Sequence, residues 1–281
     1  MKYGIVILFV IVINACAQRV EIKSPPGYDL NKPEVFTMPA ALQEISGIAF
    51  KSGNADTMYA QQDEDGKIFL LKPGDKEAAV IKFGRKGDYE DIGIHNDTVV
   101  MLRSDGTLYL FSLNEVKDGA AGPVSEIKDA VPAGEYEAMC IDDNDGTIYM
   151  LCKECPGSKK SKEMNGYRVS ISANGEVTTA AFSIDETTIE ALSGEKKIHW
   201  KPSALTKNQH TGEWYILSAI NKMLVVTDAA WKVTAVYPLS PASLFMQPEG
   251  IAFDRDNNLY ISNEGEAMSA GTILKFAYQK N

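Results

Sequence analysis

The stretch QPEGIAFDRDNNLYISNEG, Gln247 to Gly265, repeats in outline one near the other end of the chain, QEISGIAFKSGNADTMYAQQDEDG, Gln43 to Gly66. Both run from a polar lead-in through Gly-Ile-Ala-Phe and a polar turn to a tyrosine-bearing segment and an acidic loop. Five such phrases recur: Glu44-Ile-Ser-Gly-Ile-Ala, Asp88-Tyr-Glu-Asp-Ile-Gly, Glu135-Tyr-Glu-Ala-Met-Cys, Lys201-Pro-Ser-Ala-Leu-Thr and Gln247-Pro-Glu-Gly-Ile-Ala. Their third residues, Ser46, Glu90, Glu137, Ser203 and Glu249, are spaced by 44, 47, 66 and 46. A period in the mid-forties is that of a four-stranded propeller blade.

Each phrase is followed by further strand-like segments. The second strands read TMYAQ from Thr57, TVVML from Thr98, TIYMLC from Thr147, EWYILS from Glu213 and NLYIS from Asn258. They are β-branched and aromatic, and bounded by Asn, Asp and Gly. Third strands follow from Gly66, Gly106, Gly166, Lys222 and Gly271, and fourth strands from Ala78, Pro123, Glu176 and Lys232. The fifth repeat has only three, whereas Glu34 to Met38 is a strand without a blade. The expected fold is therefore all-β: a five-bladed propeller over residues 34–281, with the N-terminal strand closing the last blade so that no sheet edge is left open. The long spacing holds two insertions. One of them, Asp185 to Lys197, predicts a short helix capped by Asp185, apolar at Ile189 and Leu192 and ended by Gly194. A degenerate sixth blade there is the competing architecture, but the stretch lacks a full set of strands.

The first residues, MKYGIVILFVIVINACAQ, have a positive start and an apolar run too short to span a bilayer, as in a signal peptide. The run ends in Ile13-Asn14-Ala15-Cys16, which resembles the bacterial lipobox. Residues 1–15 are expected to be removed, Cys16 to carry lipid, and residues 16–33 to form a tether. That places the chain in the bacterial cell envelope as a membrane-anchored lipoprotein, periplasmic or surface-exposed. The formal net charge of −10 excludes phosphate backbones as favoured partners, so no nucleic acid is expected. Cys152-Lys-Glu-Cys155 is a lone pair without further ligands at zinc spacing. A disulfide among Cys140, Cys152 and Cys155, leaving one thiol free, suits an exported chain.

The phrases EISGIAF, YEDIGI, YEAMCI and QPEGIAF, with LYISNEG and GTILKF, resemble the SdiA-regulated family of bacterial β-propellers. The resemblance runs over Glu34 to Phe276 and brings no settled activity with it. Lactonase-type propellers are similar in their phrases, but hold their metal with a Glu, Asn and Asp combination that is missing here; Asn263 is the residue placed to substitute.

The third residue of each phrase enters an innermost strand, so the five are expected to ring one mouth of the channel. Glu90, Glu137 and Glu249 then face one another, a costly arrangement without raised pKa values or a bound cation. Hard oxygen ligands suit Ca²⁺ or Mg²⁺, with Ser46 and Ser203 completing the shell. Loops after the second strands add Asp63, Arg103, Asn263 and Glu264 as ligand-binding candidates, while Arg103 and Lys153 are rival partners for the glutamates. The functional expectation is a binding module for an unknown small molecule or envelope protein, working through this acidic mouth. The alternative is a divalent-metal-dependent hydrolase of lactones or phosphate esters.

Overall fold

A computed structural model describes residues 23–156, 161–266 and 269–280. The signal segment and Cys16 lie outside them. The first strand, β1 (Glu34–Thr37), precedes four sets of four consecutive strands. Blade one is β2 (Ile45–Phe50), β3 (Met58–Gln62), β4 (Asp65–Leu71) and β5 (Ala79–Lys86). Blade two is β6 (Tyr89–His95), β7 (Thr98–Arg103), β8 (Leu108–Ser112) and β9 (Ser125–Ile127). Blade three is β10 (Glu135–Ile141), β11 (Ile148–Glu154), β12 (Glu163–Ile171) and β13 (Val177–Asp185). The helix α1 (Glu186–Ser193) intervenes before blade four, β14 (Ala204–Lys207), β15 (Trp214–Ser218), β16 (Met223–Thr227) and β17 (Val233–Pro238). The last blade is β18 (Pro248–Phe253), β19 (Leu259–Asn263) and β20 (Thr272–Phe276), with β1 on its outer edge. The pairings within the five sheets are antiparallel, and Glu34 lies opposite Lys275 and Thr37 opposite Thr272. Five four-stranded sheets thus make a five-bladed propeller closed by its N-terminal strand.

The hydrophobic core lies between blades, because successive residues of a strand point to opposite faces of its sheet. Val99 and Met101 of β7 pack toward blade one, whereas Val100 and Leu102 pack toward blade three. Each junction around the ring has a cluster of this kind. The packed domain begins before Glu34: Tyr28 and Leu30 are buried against blades four and five, and the Tyr28 hydroxyl donates to the Asn257 carbonyl at 2.8 Å. That part of the segment read as a tether belongs to the domain.

The helix forms as its caps dictate. The Asp185 carboxylate accepts from the Thr187 N–H at 2.9 Å, and Gly194 ends the helix at φ 76. Ile189 is buried, but Leu192, expected beside it, is 50% exposed. Trp200, after the insertion, is fully enclosed between blades three and four.

Polar staples join the blades near the axis. The Ser262 hydroxyl donates to the Ser46 carbonyl at 2.6 Å, and the Ser46 hydroxyl to the Glu90 carbonyl at 2.8 Å. Asp91 accepts from the Met139 N–H at 2.8 Å, Lys207 meets Asp142 at 2.5 Å, and the Ser203 hydroxyl donates to the Pro248 carbonyl at 2.8 Å. Ser203 also accepts from the Ala219 N–H at 3.2 Å. Ser203→Ala would strand two buried backbone groups. The expected cost is about 1–2 kcal/mol, read as a lower urea midpoint at unchanged slope; an unchanged midpoint would show the staple to be idle.

Candidate functional site

The ring residues escape the strand ladders. Pairing jumps from Tyr89 to Asp91 in β6, from Tyr136 to Ala138 in β10, from Pro248 to Gly250 in β18 and from Ile45 to Ile48 in β2. Glu90, Glu137 and Glu249 are thus the unpaired residues of β-bulges, a device that re-aims a side chain. Ser203 holds the equivalent place just before β14. All five line one cavity of about 500 Å³ at the channel mouth, together with Glu44, Asp63, Lys153, Lys201, Lys222, Gln247 and Glu264.

Charge in this cavity is segregated. Blades one, two and five contribute Glu44, Asp63, Glu90, Glu249 and Glu264, while blades three and four contribute Lys153, Lys201 and Lys222. Glu137 stands at the boundary, and Lys153 donates to it and also meets Glu135 at 3.1 Å. Lys201 pairs with Glu154, and Lys222 donates to the Met246 carbonyl. Burial raises the Glu90 carboxyl to about 9, with Glu137 and Asp88 adding repulsion. Burial likewise raises Glu249 to about 8, with Glu137 and Glu264 adding to it. Glu137 is raised by burial too, but Lys153 opposes the rise. Asp63 is raised by burial and then by Glu44, and Glu264 by burial and then by Asp63. Glu90 and Glu249 are therefore neutral acids near pH 7, and Glu137 is the ring carboxylate matched by a cation.

Two residues read as ligands from the sequence lie elsewhere. Arg103 sits at the blade-two position corresponding to the Lys153 region of blade three, but the turn captures it. Its guanidinium bonds Asp105 at 2.6 and 3.0 Å and the Tyr109 hydroxyl at 2.6 Å. Asn263 is fully buried in the last blade, donating to the Leu244 carbonyl at 3.2 Å and the Thr272 hydroxyl at 3.3 Å. Ser46 and Ser203 do line the cavity, with their hydroxyl protons committed to the blade staples. Among the described residues, no three His, Cys, Asp or Glu side chains are grouped so as to hold a metal ion. Glu44, Lys201 and Gln247 were missed, although each stands two residues before a ring position; the repeat alignment carried that signal. Lys222, in the β15–β16 turn, carried none.

A second cavity of about 310 Å³ opens at the other end of the channel, lined by inner-strand residues and by the hairpins that follow them. The free thiol Cys140 lines it, while Cys152 and Cys155 form a disulfide. At the level of Asp91 the inner strands close in: a Cβ on Gly47 would lie 2.5 Å from the Asp91 carboxylate and 2.8 Å from its Cα.

The fold is similar to that of the glutaminyl cyclase of Myxococcus xanthus, with a TM-score of 0.57, 12% identity, and 88% of this chain and 96% of that one covered. It is also similar to a luciferin-regenerating enzyme, with a TM-score of 0.51, 10% identity, and 88% and 95% covered. At such identities the likeness concerns the fold alone. No curated protein matches the sequence. Residues 164–267, from blade three into blade five, match the model of the SdiA-regulated family, the family that the repeated phrases resemble.

Proposed function

We propose that the chain is a binding module of the bacterial cell envelope, held to a membrane by lipid on Cys16, that captures a small cationic ligand at its channel mouth. The observation that carries this reading is a pair of half-buried acids, Glu90 at about 9 and Glu249 at about 8, facing an open cavity of about 500 Å³. Each is held neutral first by its withdrawal from water and then by repulsion from Glu137. Beside them, Lys153 on Glu137 is a built-in example of the missing partner, an alkylammonium on a ring carboxylate. An amine-bearing ligand supplies that group without requiring a preassembled metal shell. A Ca²⁺ or Mg²⁺ ion would have to draw the carboxyls together.

Cation binding to neutral acids expels their protons, which gives the test. Titrating 1,4-diaminobutane, and separately Ca²⁺ and Mg²⁺, into the protein at pH 7 in buffers of different ionisation enthalpy reads the protons released. Binding is expected with release of up to about two protons, and with affinity rising toward pH 9. The Glu90→Gln/Glu249→Gln double variant is expected to lose both the binding and the release. If none of the three probes binds, or if the heats do not depend on buffer, the reading fails.

A further inference from the structure

We propose that the Cys152–Cys155 disulfide is a redox clasp on the channel mouth: closed, it holds Lys153 on Glu137; opened by a dithiol reductant, it releases that lysine and strengthens cation capture. This rests on the mouth being a cation site. The bridge spans three positions at the end of β11 and encloses only Lys153 and Glu154. Both enclosed residues make ion pairs at the mouth. Lys153 bonds Glu137 and Glu135, and Glu154 pairs with Lys201. Lys153, Glu137 and Lys201 all line the cavity.

The bridge also touches the strand that carries the glutamate. A Cβ added to Gly134, just before β10, would lie 2.8 Å from the Cys152 sulfur and 3.1 Å from the Cys155 sulfur. The disulfide thus braces the entry of β10 against the exit of β11, the two strand ends that hold Glu137 and Lys153. A loop this short restrains the unfolded chain less than a long one would, so the consequence of the bridge is chiefly local. Without it, Lys153 loses the turn that aims its ammonium, and Glu137 becomes a third unmatched ring carboxyl.

The chemistry balances as thiol–disulfide exchange. Cys155, 9% exposed against 1% for Cys152, offers the more accessible sulfur. A thiolate of the reductant attacks the Cys155 sulfur, the S–S bond breaks, and Cys152 leaves as a thiolate and takes a proton. The second thiol of the reductant then attacks the mixed disulfide and releases Cys155. Two electrons and two protons pass to the protein, and the reductant is left as its own disulfide.

Two readouts on the full domain separate the clasp from the site beneath it. The first needs no ligand: the rate at which acetic anhydride acetylates Lys153, followed by peptide mass spectrometry before and after reduction with dithiothreitol. Reduction is expected to raise that rate several-fold while lysines outside the mouth stay unchanged. The second is the affinity for 1,4-diaminobutane, expected to be about tenfold tighter in the reduced protein. The Cys152→Ser/Cys155→Ser variant is expected to match the reduced protein and to ignore dithiothreitol. Equal Lys153 rates in both states overturn the clasp, whether or not the diamine binds. A raised rate with no diamine binding in either state upholds the clasp and overturns the cation site. Loss of the near-ultraviolet dichroism of the fold on reduction overturns the clasp, because the bridge would then serve the whole domain.

Discussion

Replacing Lys153 by methionine is expected to cost about 3 kcal/mol of folding stability at pH 8 and under about 1 kcal/mol at pH 5. The lysine and Glu137 side chains are 17% and 14% exposed, so the pair is largely withdrawn from water. Methionine keeps the length and apolar body of the side chain and removes only the charge. Glu137 must then ionise unmatched or hold a proton, and its pKa in the folded state climbs further above the unfolded value. A carboxyl raised in this way leaves stability intact below the unfolded pKa and takes it away as pH climbs toward the folded one. The loss is therefore alkaline. Urea unfolding at the two pH values measures it, and adding Glu137→Gln is expected to restore most of the loss. An equal deficit at pH 5 and pH 8 would mean that lost packing, rather than the unmatched charge, is responsible.

Glu90→Gln is expected to act in the opposite direction, stabilising the fold by about 2 kcal/mol at pH 8 and by nearly nothing at pH 4.5. The Glu90 carboxyl stands at about 9 in the fold against an ordinary 4.5, through burial first and then the nearby Glu137 and Asp88. Between those two values the folded chain holds a proton that the unfolded chain has lost, so stability falls as pH rises across the window. The full shift would imply a larger effect, and solvent at the mouth reduces it. The amide has the same shape and no titration, so the variant's melting temperature is expected to decline less between pH 5 and pH 9. A variant with the wild-type slope would show that Glu90 ionises freely. Sites that recruit ligands are often kept at the expense of stability, and both substitutions probe that tension in one ring.

The periodicity of the chain already contained the ring. Repeat spacing counted the blades, and the missing fourth strand of the last repeat identified Glu34 to Met38 as its replacement, because an open edge would otherwise remain. The ring positions were legible for the same reason: aligned repeats occupy equivalent places, so one position per blade converges on the axis. What converges from different blades was not legible. Arg103 and Lys153 look alike as candidate partners, but Asp105, two residues on, holds the first locally, while the acids that hold Lys153, Glu135 and Glu137, stand on the neighbouring strand β10. Lys222 reaches the mouth from the β15–β16 turn, which no repeated pattern expresses. Asn263 was misjudged because the end of a second strand can turn toward the mouth or into its own sheet, and Thr272 draws it inward.

The bulges have a consequence for how such a propeller can diversify. A residue outside the ladder can be exchanged without shifting strand register, so the composition of the mouth is written separately from the blades that support it. Serine at two of the five positions ties blades together, and glutamate at three leaves a charge to be answered. Substitution at the three glutamate positions would therefore move the mouth from cation to anion or neutral ligands while the scaffold stays the same. The inner bulge works as an interchangeable socket, and the three that carry glutamate open on one mouth.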